Sequence, residues 1–379
     1  MIMSTKLNCH ICNGNLSKFE NFDRFHHVSS DCKPVEGLSK LALCLNCSVV
    51  QKIISKDWIH QTNQIYSNYS VYSQSSGDEQ VTFSSNDGAA QKRSNLYIDW
   101  ISSVINTKID GTLLDVGCGN GSFIKEFGNH HYTWKKIGYE LNDINKKTIE
   151  KIPNTLFFSG DINKINEKIN LVTLIHCFEH LINPLNFLKK IKSLVGAEAY
   201  VFLQLPNLKT SPFDILISDH CSHFTKDTLT NIISFAGFDI VDVSESVVSK
   251  ELSLIMKPSL EKSQQSVNNT LYKKNHSLVI EHIKFLDKFV SRIKKYHRPV
   301  GIFGSSISAT WLFSEINGEI DFFVDEDTSR INRSHLSIPI IDVKSIPKNS
   351  TLYFPLQSSI VEELVKRIKF DASINLVTP

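Results

Sequence analysis

The sequence predicts an α/β protein with a doubly wound, mostly parallel sheet at its centre, a small N-terminal domain and a second α/β domain at the C-terminus. Three observations support this prediction. Between residues 96 and 243, short apolar runs alternate with stretches of helical spacing, a pattern typical of a parallel sheet. Two Cys-x-x-Cys pairs lie near the N-terminus, and a further strand–turn–helix pattern begins at Val300.

The composition limits the class of protein. The chain has 379 residues, with 41 Lys and Arg against 39 Asp and Glu, for a formal net charge of +2. This near-balance argues against a protein built around a polyanion, so we expect no nucleic-acid partner. The first twelve residues lack the apolar core of a signal peptide, and no apolar run approaches the ~20 residues that span a bilayer. We therefore expect a cytoplasmic protein without a membrane partner, as a monomer or homodimer.

Changes in composition predict four parts, of which the second is polar and carries Tyr66, Tyr69 and Tyr72 at every third position. A flexible linker is one interpretation of that segment, and a lid over a binding site fits the tyrosine spacing better. The four parts are residues 1–60 with five of the eight cysteines, 61–90 as the tyrosine-bearing lid or linker, 91–250 as the main α/β domain, and 251–379 as a Rossmann-like α/β domain.

Apolar runs predict the strands of the main domain, and helical spacing predicts the helices between them. The predicted strands are residues 112–116, 136–139, 156–158, 171–175, 200–204 and 238–243. The predicted helices are residues 96–105, 122–127, 184–194 and 226–236. In the C-terminal domain, a helix over 278–296 is expected to precede a strand at 300–303, a helix to residue 316 and a strand at 320–324.

A glycine turn follows the first strand of the main domain. Gly117, Gly119 and Gly121 stand at alternate positions, which permits tight turning and close approach of a ligand to the backbone. Asp115 ends the strand before the turn, and Glu140 ends the next strand, where a carboxylate can accept both ribose hydroxyl protons. The turn lacks the Lys-Ser/Thr of a phosphate-cradling loop, which argues against a triphosphate. The pattern predicts a nucleoside-containing cofactor.

Residues 113–127 and Gly138-Tyr139-Glu140 resemble the first two motifs of class I S-adenosylmethionine-dependent methyltransferases. The resemblance implies S-adenosylmethionine as cofactor, with the glycines beside its methionine and ribose parts, Asp115 beneath them and Glu140 on the ribose. It further implies Asp161 and Ile162 at the adenine and His176 at the cofactor edge of the fourth strand. A nicotinamide dinucleotide is the competing cofactor, but its fingerprint requires a further glycine where this chain has Ser122.

The two cysteine pairs are Cys9-x-x-Cys12 and Cys44-x-x-Cys47. Each can present two thiolates to one tetrahedral Zn²⁺, and four thiolates leave no open position for water, so we predict a structural zinc site. Unpaired buried thiols and a redox dithiol are the alternatives. Cys32 is left over, and the histidines at positions 10, 26 and 27 are weaker ligand candidates.

The order of zinc knuckles, tyrosine segment, methyltransferase core and C-terminal α/β domain resembles bacterial sugar methyltransferases, including C-methyltransferases of nucleotide-linked ketosugars. The matching stretches outside the core are 44–51, 66–80 and 301–342. The family's Tyr-x-Glu-His loop after the fifth strand reads Ile217-Ser218-Asp219-His220 here. His220 matches the family histidine and Asp219 its acid, whereas Ile217 replaces the tyrosine and His223 stands where an aromatic residue is usual.

The predicted function is therefore methyl transfer to a carbohydrate, a small-molecule acceptor represented by a nucleotide-linked sugar, at carbon or oxygen. Histidine suits removal of the acceptor proton because its pKa lies near neutrality. The candidate catalytic residues are His220, Asp219, His180 and Tyr72, with His223 and His176 as secondary candidates. One alternative is a zinc-ribbon nucleic-acid methyltransferase, although the base-methylation tetrad is absent after the fourth strand. The other is a non-catalytic S-adenosylmethionine-binding protein.

Overall fold

The computed structural model describes residues 7–37, 39–69, 79, 81–83, 90–107, 110–260, 269–293 and 298–379. The N-terminal unit is built of short antiparallel strands because its sequence alternates apolar pairs with turns. Strand β4 pairs with β1 and β5, β2 pairs with β3, and β6 pairs with β7. The elements are β1 Leu16–Lys18, β2 His27–Val28, β3 Pro34–Val35, β4 Leu41–Cys44, β5 Val50–Lys52, α1 Lys56–Ser67, β6 Val81–Phe83 and β7 Ala90–Lys92.

A seven-stranded sheet forms the centre of the molecule, in the order β10-β9-β8-β11-β12-β15-β14. The first five strands are parallel, and β15 runs antiparallel to both of its neighbours. The elements are α2 Arg93–Val104, β8 Thr112–Val116, α3 Ser122–His130, β9 Lys135–Glu140, α4 Lys146–Ile149, β10 Thr155–Ser159, β11 Leu171–Ile175, α5 Pro184–Leu194, β12 Tyr200–Pro206, β13 Ser222–His223, α6 Lys226–Phe235, β14 Phe238–Ser244 and β15 Glu251–Pro258.

The predicted doubly wound α/β class is confirmed. Strands β8, β11 and β12 are almost continuously apolar because both of their faces are covered. The predicted boundary at residue 250 is wrong, because Glu251–Pro258 is a strand of the central sheet. Helix α1 likewise continues across the predicted boundary at residue 60.

The C-terminal unit is a second sheet, in the order β18-β19-β17-β16-β20-β21, parallel except for the β18–β19 pair. The helix predicted over 278–296 begins nine residues earlier and ends at Val290. The elements are α7 Asn269–Val290, β16 Val300–Phe303, α8 Ile307–Glu315, β17 Phe322–Val324, β18 Ser334–His335, β19 Ile338–Ile341, β20 Thr351–Tyr353, α9 Ser358–Arg367 and β21 Asn375–Val377.

One hydrophobic cluster joins the three units. Phe22 of the N-terminal unit, Phe213 of the segment between β12 and β13, and Trp311 of α8 belong to it. Helix α7 contributes side chains spaced three or four residues apart, among them Val279 and Ile283, which is the period of an amphipathic helix. Among the described helices, none combines the length and apolar character needed to cross a bilayer.

Candidate active site

The glycine turn connects β8 to α3 at the carboxyl edge of the central sheet. Its three glycines have positive φ, and Gly117 has φ +75°. A Cβ at Gly117 would lie 3.0 Å from the Cys177 sulfur, so this position requires glycine on both conformational and steric grounds. The turn thus exposes backbone at the edge where ligands bind in open α/β sheets.

Two carboxylates flank the turn in different environments. The Gly119 N–H donates to Oε1 of Glu140 over 2.8 Å, and Glu140 is partly exposed at the end of β9. Asp115 is buried and accepts a 2.6 Å hydrogen bond from Thr173. Burial raises the pKa of Asp115 to about 7. Glu140 is therefore the more accessible of the two carboxylates, whereas Asp115 is enclosed at the end of β8.

Asp161 and Ile162, the two residues predicted to contact the adenine, differ in the exposure of their side chains. Asp161 is exposed, and its carboxylate caps the 3-10 helix Ile162–Lys164 through the Asn163 N–H at 3.1 Å. The Ile162 side chain is buried in the main hydrophobic cluster, so only its backbone can face a ligand. The Tyr139 hydroxyl donates to the carbonyl of Gly160 just before them and fixes the entrance to this turn.

His176, predicted at the cofactor, is held in an ionic network. Its Nδ1 lies 3.3 Å from Oε1 of Glu179, and its Nε2 lies 3.3 Å from Oε1 of Glu251. Burial lowers the pKa of His176, but the two carboxylates outweigh it and raise the pKa above its usual range. Glu251 also pairs with Arg93 of α2 at 2.8 Å. Both ring nitrogens lie beside carboxylates, which makes the His176 ring a poor proton acceptor, and its contact with the cofactor stays a prediction.

The segment between β12 and β13, residues 207–221, carries most of the remaining polar groups and is called the histidine loop below. Within it Asp214 accepts from two imidazoles, with Oδ1 at 2.7 Å from His220 Nδ1 and Oδ2 at 2.6 Å from Nδ1 of His223 in β13. Since a carboxylate only accepts, both Nδ1 atoms donate. The Nε2 atom of each ring is left as its basic nitrogen.

Charge within this cluster sets the proton affinities. Burial alone would raise the pKa of Asp214, but His223 and His220 hold it well below its usual range. Burial works to lower the pKa of His220, yet the hydrogen bond and charge of Asp214 raise it overall. His223, with no exposed side-chain surface, keeps a lowered pKa because burial dominates. Of the two, His220 is the better proton acceptor.

His180 stands next to His220 and ends a 3-10 helix, Phe178–His180. The two rings meet edge-on, with centroids 4.7 Å apart at 89°. His180 Nδ1 lies 3.0 Å from the Asp219 carbonyl and 3.1 Å from the Tyr66 hydroxyl. The structure therefore brings His180 and His220 together, although they are forty residues apart in sequence.

Asp219 faces away from its sequence neighbour His220. Its carboxylate accepts from the backbone N–H of Ser30 at 2.8 Å and from the Ser30 hydroxyl at 2.5 Å, and it has no exposed surface. Asp219 therefore contacts His180 instead of His220, through its backbone carbonyl at 3.0 Å and its carboxylate Oδ2 at 3.5 Å from His180 Nδ1. The acid that contacts His220 is Asp214, which the sequence analysis missed.

Of the three tyrosines of the segment, Tyr66 contacts the candidate active site directly. Tyr66 lies on α1, and its hydroxyl contacts His180. The Tyr69 hydroxyl lies 3.4 Å from Ser30 Oγ, beside Asp219. Tyr72, the predicted catalytic tyrosine, falls outside the described residues. Tyr66 was overlooked as a site residue, although the three-residue spacing included it.

The four predicted zinc ligands come together as the cysteine quartet: Cys9, Cys12, Cys44 and Cys47. One sulfur from each lies within 4.8 Å of the others, with 3.7 Å between Cys9 and Cys47 and 3.4 Å between Cys12 and Cys44. Four sulfurs at ~2.3 Å from one ion stand about 3.8 Å apart, so the quartet fits tetrahedral Zn²⁺.

Backbone and side-chain donors surround the quartet in the manner of a thiolate site. The N–H groups of Ile11 and Asn46 point at the first sulfur of each knuckle, at 3.3 and 3.4 Å. The Gln51 amide also donates to Cys9 Sγ at 3.0 Å. Such donors stabilise the deprotonated sulfurs that a metal requires.

The quartet is connected to the histidine loop by strand pairing. Strand β13, which carries His223, pairs with β5 of the N-terminal unit in a sheet ordered β1-β4-β5-β13. From the same unit Trp58 donates to the Ser218 carbonyl at 2.9 Å. The N-terminal unit therefore forms one wall of the candidate active site.

The C-terminal turn, Gly304-Ser305-Ser306, follows a strand as the glycine turn of the central sheet does. The acid at the end of the next strand, Asp325, is bound by other residues of the protein. Asp325, at the end of the next strand, accepts from Ser305 Oγ at 2.5 Å and from the Asp327 N–H at 3.0 Å. Arg330 adds a 3.5 Å ion pair to Asp325. The acid that corresponds to Glu140 is thus engaged within the protein.

Comparison with known proteins matches residues 89–243 to the family profile described as a methyltransferase domain. No curated protein matches the chain. Among solved structures, the plantazolicin methyltransferase BpumL shares 11% identity over 44% of this chain and 82% of its own, with a TM-score of 0.38.

Two further solved structures cover a similar share of this chain. An S-adenosylmethionine-dependent methyltransferase from Aquifex aeolicus shares 18% identity over 43% of this chain and 92% of its own, with a TM-score of 0.36. Human N-acetylserotonin methyltransferase shares 13% identity over 44% of this chain and 52% of its own, with a TM-score of 0.38. The family match and the sheet with its glycine turn agree: residues 89–243 form a methyltransferase domain.

Proposed function

We propose that the chain transfers a methyl group from S-adenosylmethionine to a carbohydrate acceptor, represented by a nucleotide-linked sugar, at carbon or oxygen. The observation that carries the proposal is the arrangement at the carboxyl edge of the central sheet. The glycine turn and Glu140 lie on one side of β11, and the pair of His180 and His220 lies on the other. This arrangement supports a methyl donor and a proton acceptor that meet at one edge of the sheet.

The residues of the turn fit the proposed cofactor. The Glu140 carboxylate accepts from the backbone N–H groups of Gly119 and Leu141 and can also accept from ribose hydroxyls. Asp161 is the exposed acid next along the sheet edge. S-adenosylmethionine supplies a sulfonium-bound methyl group for in-line displacement.

His220 is the proposed proton acceptor. The acceptor's new bond to the methyl carbon forms as the methyl–sulfur bond breaks, and the acceptor's proton passes to His220 Nε2. Asp214 holds Nδ1 and stabilises the imidazolium that results. His180 lies beside His220, and its ring is held by the Asp219 carbonyl and the Tyr66 hydroxyl. Asp219 is thus a positioning residue, and both histidines are catalytic residues.

Zinc in the cysteine quartet is proposed as a structural cofactor. Four thiolates fill a tetrahedral coordination shell, so the metal would take no part in methyl transfer. Its contribution would be to hold β4 and β5, since β5 pairs with β13, the strand that directly follows the histidine loop.

The carbohydrate acceptor is supported by the resemblance of domain order and of the Asp219-His220 pair to sugar methyltransferases. The described residues of the site offer hydroxyl, imidazole and backbone carbonyl groups rather than a row of basic side chains, which favours a small polar acceptor over a nucleic acid.

The proposal is tested on the purified full chain by native mass spectrometry and a methyl-transfer assay. We expect one zinc and one bound S-adenosylmethionine or its demethylated product, and methylation of a nucleotide sugar from a panel. The His220→Gln variant should keep zinc and cofactor but lose transfer. Methylation of oligonucleotides with no sugar product, or cofactor binding without transfer to any acceptor, would overturn the proposed acceptor.

A further inference from the structure

Lys52 is a buried cation that the proposed reaction does not use. It is the last residue of β5 and has no exposed surface. Its ammonium donates to the backbone carbonyl of Ile215 and lies 4.9 Å from the centroid of the Phe22 ring. Ile215 directly follows Asp214. Lys52 thus reaches from the N-terminal unit to the turn that presents the shared carboxylate.

Burying the Lys52 ammonium costs desolvation free energy, which indicates that this side chain has a function beyond filling space. An ammonium removed from water loses its hydration, and a single carbonyl and one aromatic face restore only part of it. Among the described residues Lys52 forms no ion pair within 4.0 Å. A leucine or methionine would fill the same space without that cost.

The charged and titratable groups that face Lys52 belong to the candidate site. Asp214 and Asp219 lie in the histidine loop, His223 in β13 and His27 in β2. Burial lowers the pKa of Lys52 to about 7, against the opposing attraction of the two carboxylates. Lys52 therefore carries part of a positive charge at neutral pH.

The position of Lys52 has an electrostatic consequence for His220. Asp214 attracts a proton to both His220 and His223, and the Lys52 charge lowers the pKa of His223. An ammonium attracted by Asp214 likewise opposes a proton on His220, the other imidazole on that carboxylate. Without Lys52, His220 would retain its proton to higher pH. An imidazolium cannot accept the proton of the acceptor, so the reaction would need a higher pH.

We propose that Lys52 is a positioning residue of the active site: it holds the Asp214 turn through Ile215, and its charge keeps His220 available as a proton acceptor. This inference rests on the proposed function for the role of His220. It concerns a residue that lies five positions beyond the cysteine quartet, on the strand that pairs with β13.

Two substitutions distinguish the two roles of Lys52. One role is the hydrogen bond to the Ile215 carbonyl, which we call the anchor, and the other is the positive charge. Lys52→Met keeps the length of the side chain and removes both the donor and the charge. Lys52→Gln removes the charge and keeps an N–H donor for the Ile215 carbonyl. Lys40→Met, an exposed lysine of the same unit, is the matched control.

The first readout needs neither cofactor nor acceptor. In the full chain labelled with ¹³C-histidine, the His220 ring signal is identified by its loss in His220→Gln and titrated by NMR. We expect its midpoint to rise by on the order of one pH unit in both Lys52 variants and to stay unchanged in Lys40→Met. The acid limb of the kcat profile for methyl transfer should move by the same amount.

The anchor predicts a difference between the two variants. At high pH, Lys52→Gln should approach the wild-type kcat, whereas Lys52→Met should remain about 10-fold lower because the Asp214 turn is no longer held. A folded variant with an unmoved His220 midpoint would overturn the inference, even with reduced kcat, since that describes a structural role only. A shifted midpoint without any sugar methylation would leave Lys52 supported and the proposed acceptor refuted.

Discussion

Gln51 and Ser222 are partners across two strands: Gln51 lies in β5 of the N-terminal unit, and Ser222 opens β13 at the end of the histidine loop. Gln51 also donates to Cys9 Sγ at 3.0 Å, and Ser222 Oγ lies 2.8 Å from His10 Nε2 in the first zinc knuckle. A few hydrogen bonds therefore connect the cysteine quartet to the strand that follows the histidine loop, so metal binding would be coupled to the position of the proposed catalytic histidines.

Removal of a cysteine of the quartet should therefore lower the rate of methyl transfer as well as metal binding. We expect Cys44→Ser to lose the metal, to lower the unfolding temperature by roughly 10 °C, and to reduce methyl transfer on the order of 100-fold. Cofactor affinity should change little, because the glycine turn belongs to the separate central sheet. Metal analysis, thermal unfolding and calorimetry measure the three effects. Cys32→Ser, outside the quartet, is the control and should retain zinc; retention of zinc by Cys44→Ser would contradict the site.

Glu140 provides a test of the cofactor position. Replacement by Gln removes the charge that would hold the ribose, and a hydrogen bond to a charged group contributes about 1.5–3 kcal/mol. We expect S-adenosylmethionine to bind roughly 10- to 100-fold more weakly in calorimetry. Asp143→Asn, a change to a nearby exposed carboxylate, should bind normally. Equal affinity of Glu140→Gln and wild type would place the ribose elsewhere.

Asp214 should control the pH dependence of the reaction. Its carboxylate raises the pKa of His220, and the rate requires neutral His220, so activity should rise with pH through that raised pKa. In Asp214→Asn the pKa of His220 falls, and the acid limb should move to lower pH. The plateau of kcat should also drop by roughly 10²- to 10⁴-fold, because the imidazolium loses its counter-charge.

The measurement for Asp214 is kcat between pH 5.5 and 9 in wild type, Asp214→Asn and the exposed control Asp227→Asn. An acid limb that stays in place in Asp214→Asn would show that another group accepts the proton.

Asp115 should make stability depend on pH. Its pKa is raised to about 7 in the folded chain by burial, above the ~3.9 of an unfolded aspartate. Between these values the folded state binds more protons than the unfolded state, so the free energy of unfolding falls as pH rises from about 4 to 7. We expect Asp115→Asn, which keeps an acceptor for Thr173, to flatten this slope in denaturant titrations. Asp161→Asn should not, and an unchanged slope in Asp115→Asn would exclude a buried neutral Asp115.

Local sequence patterns predicted many of the strands and helices and part of the candidate site. Strand β11 and helix α5 have the predicted bounds because an apolar run and an amphipathic period each depend on neighbouring residues only. The glycine turn and the cysteine quartet were likewise found from spacing. His220 was identified by resemblance, whereas its contact with Asp214 depends on how the histidine loop folds back on itself.

The missed features are long-range. The side chains of Asp219 and His220 diverge, so adjacency in sequence misled the choice of partner acid. Glu251 opens a strand that enters the sheet antiparallel between β12 and β14, which no local period of the sequence indicates. Tyr66 gains its role only where α1 lies over His180.

The engaged Asp325 has a consequence for stoichiometry. The two halves of the chain both offer a glycine turn followed by an acid, yet in the C-terminal half Ser305 and Arg330 already saturate that acid. Titration with S-adenosylmethionine should therefore reach equivalence at one molecule per chain, with a single enthalpy step. The described part of the C-terminal half contributes packing surface through Trp311 and its neighbours in the shared hydrophobic cluster.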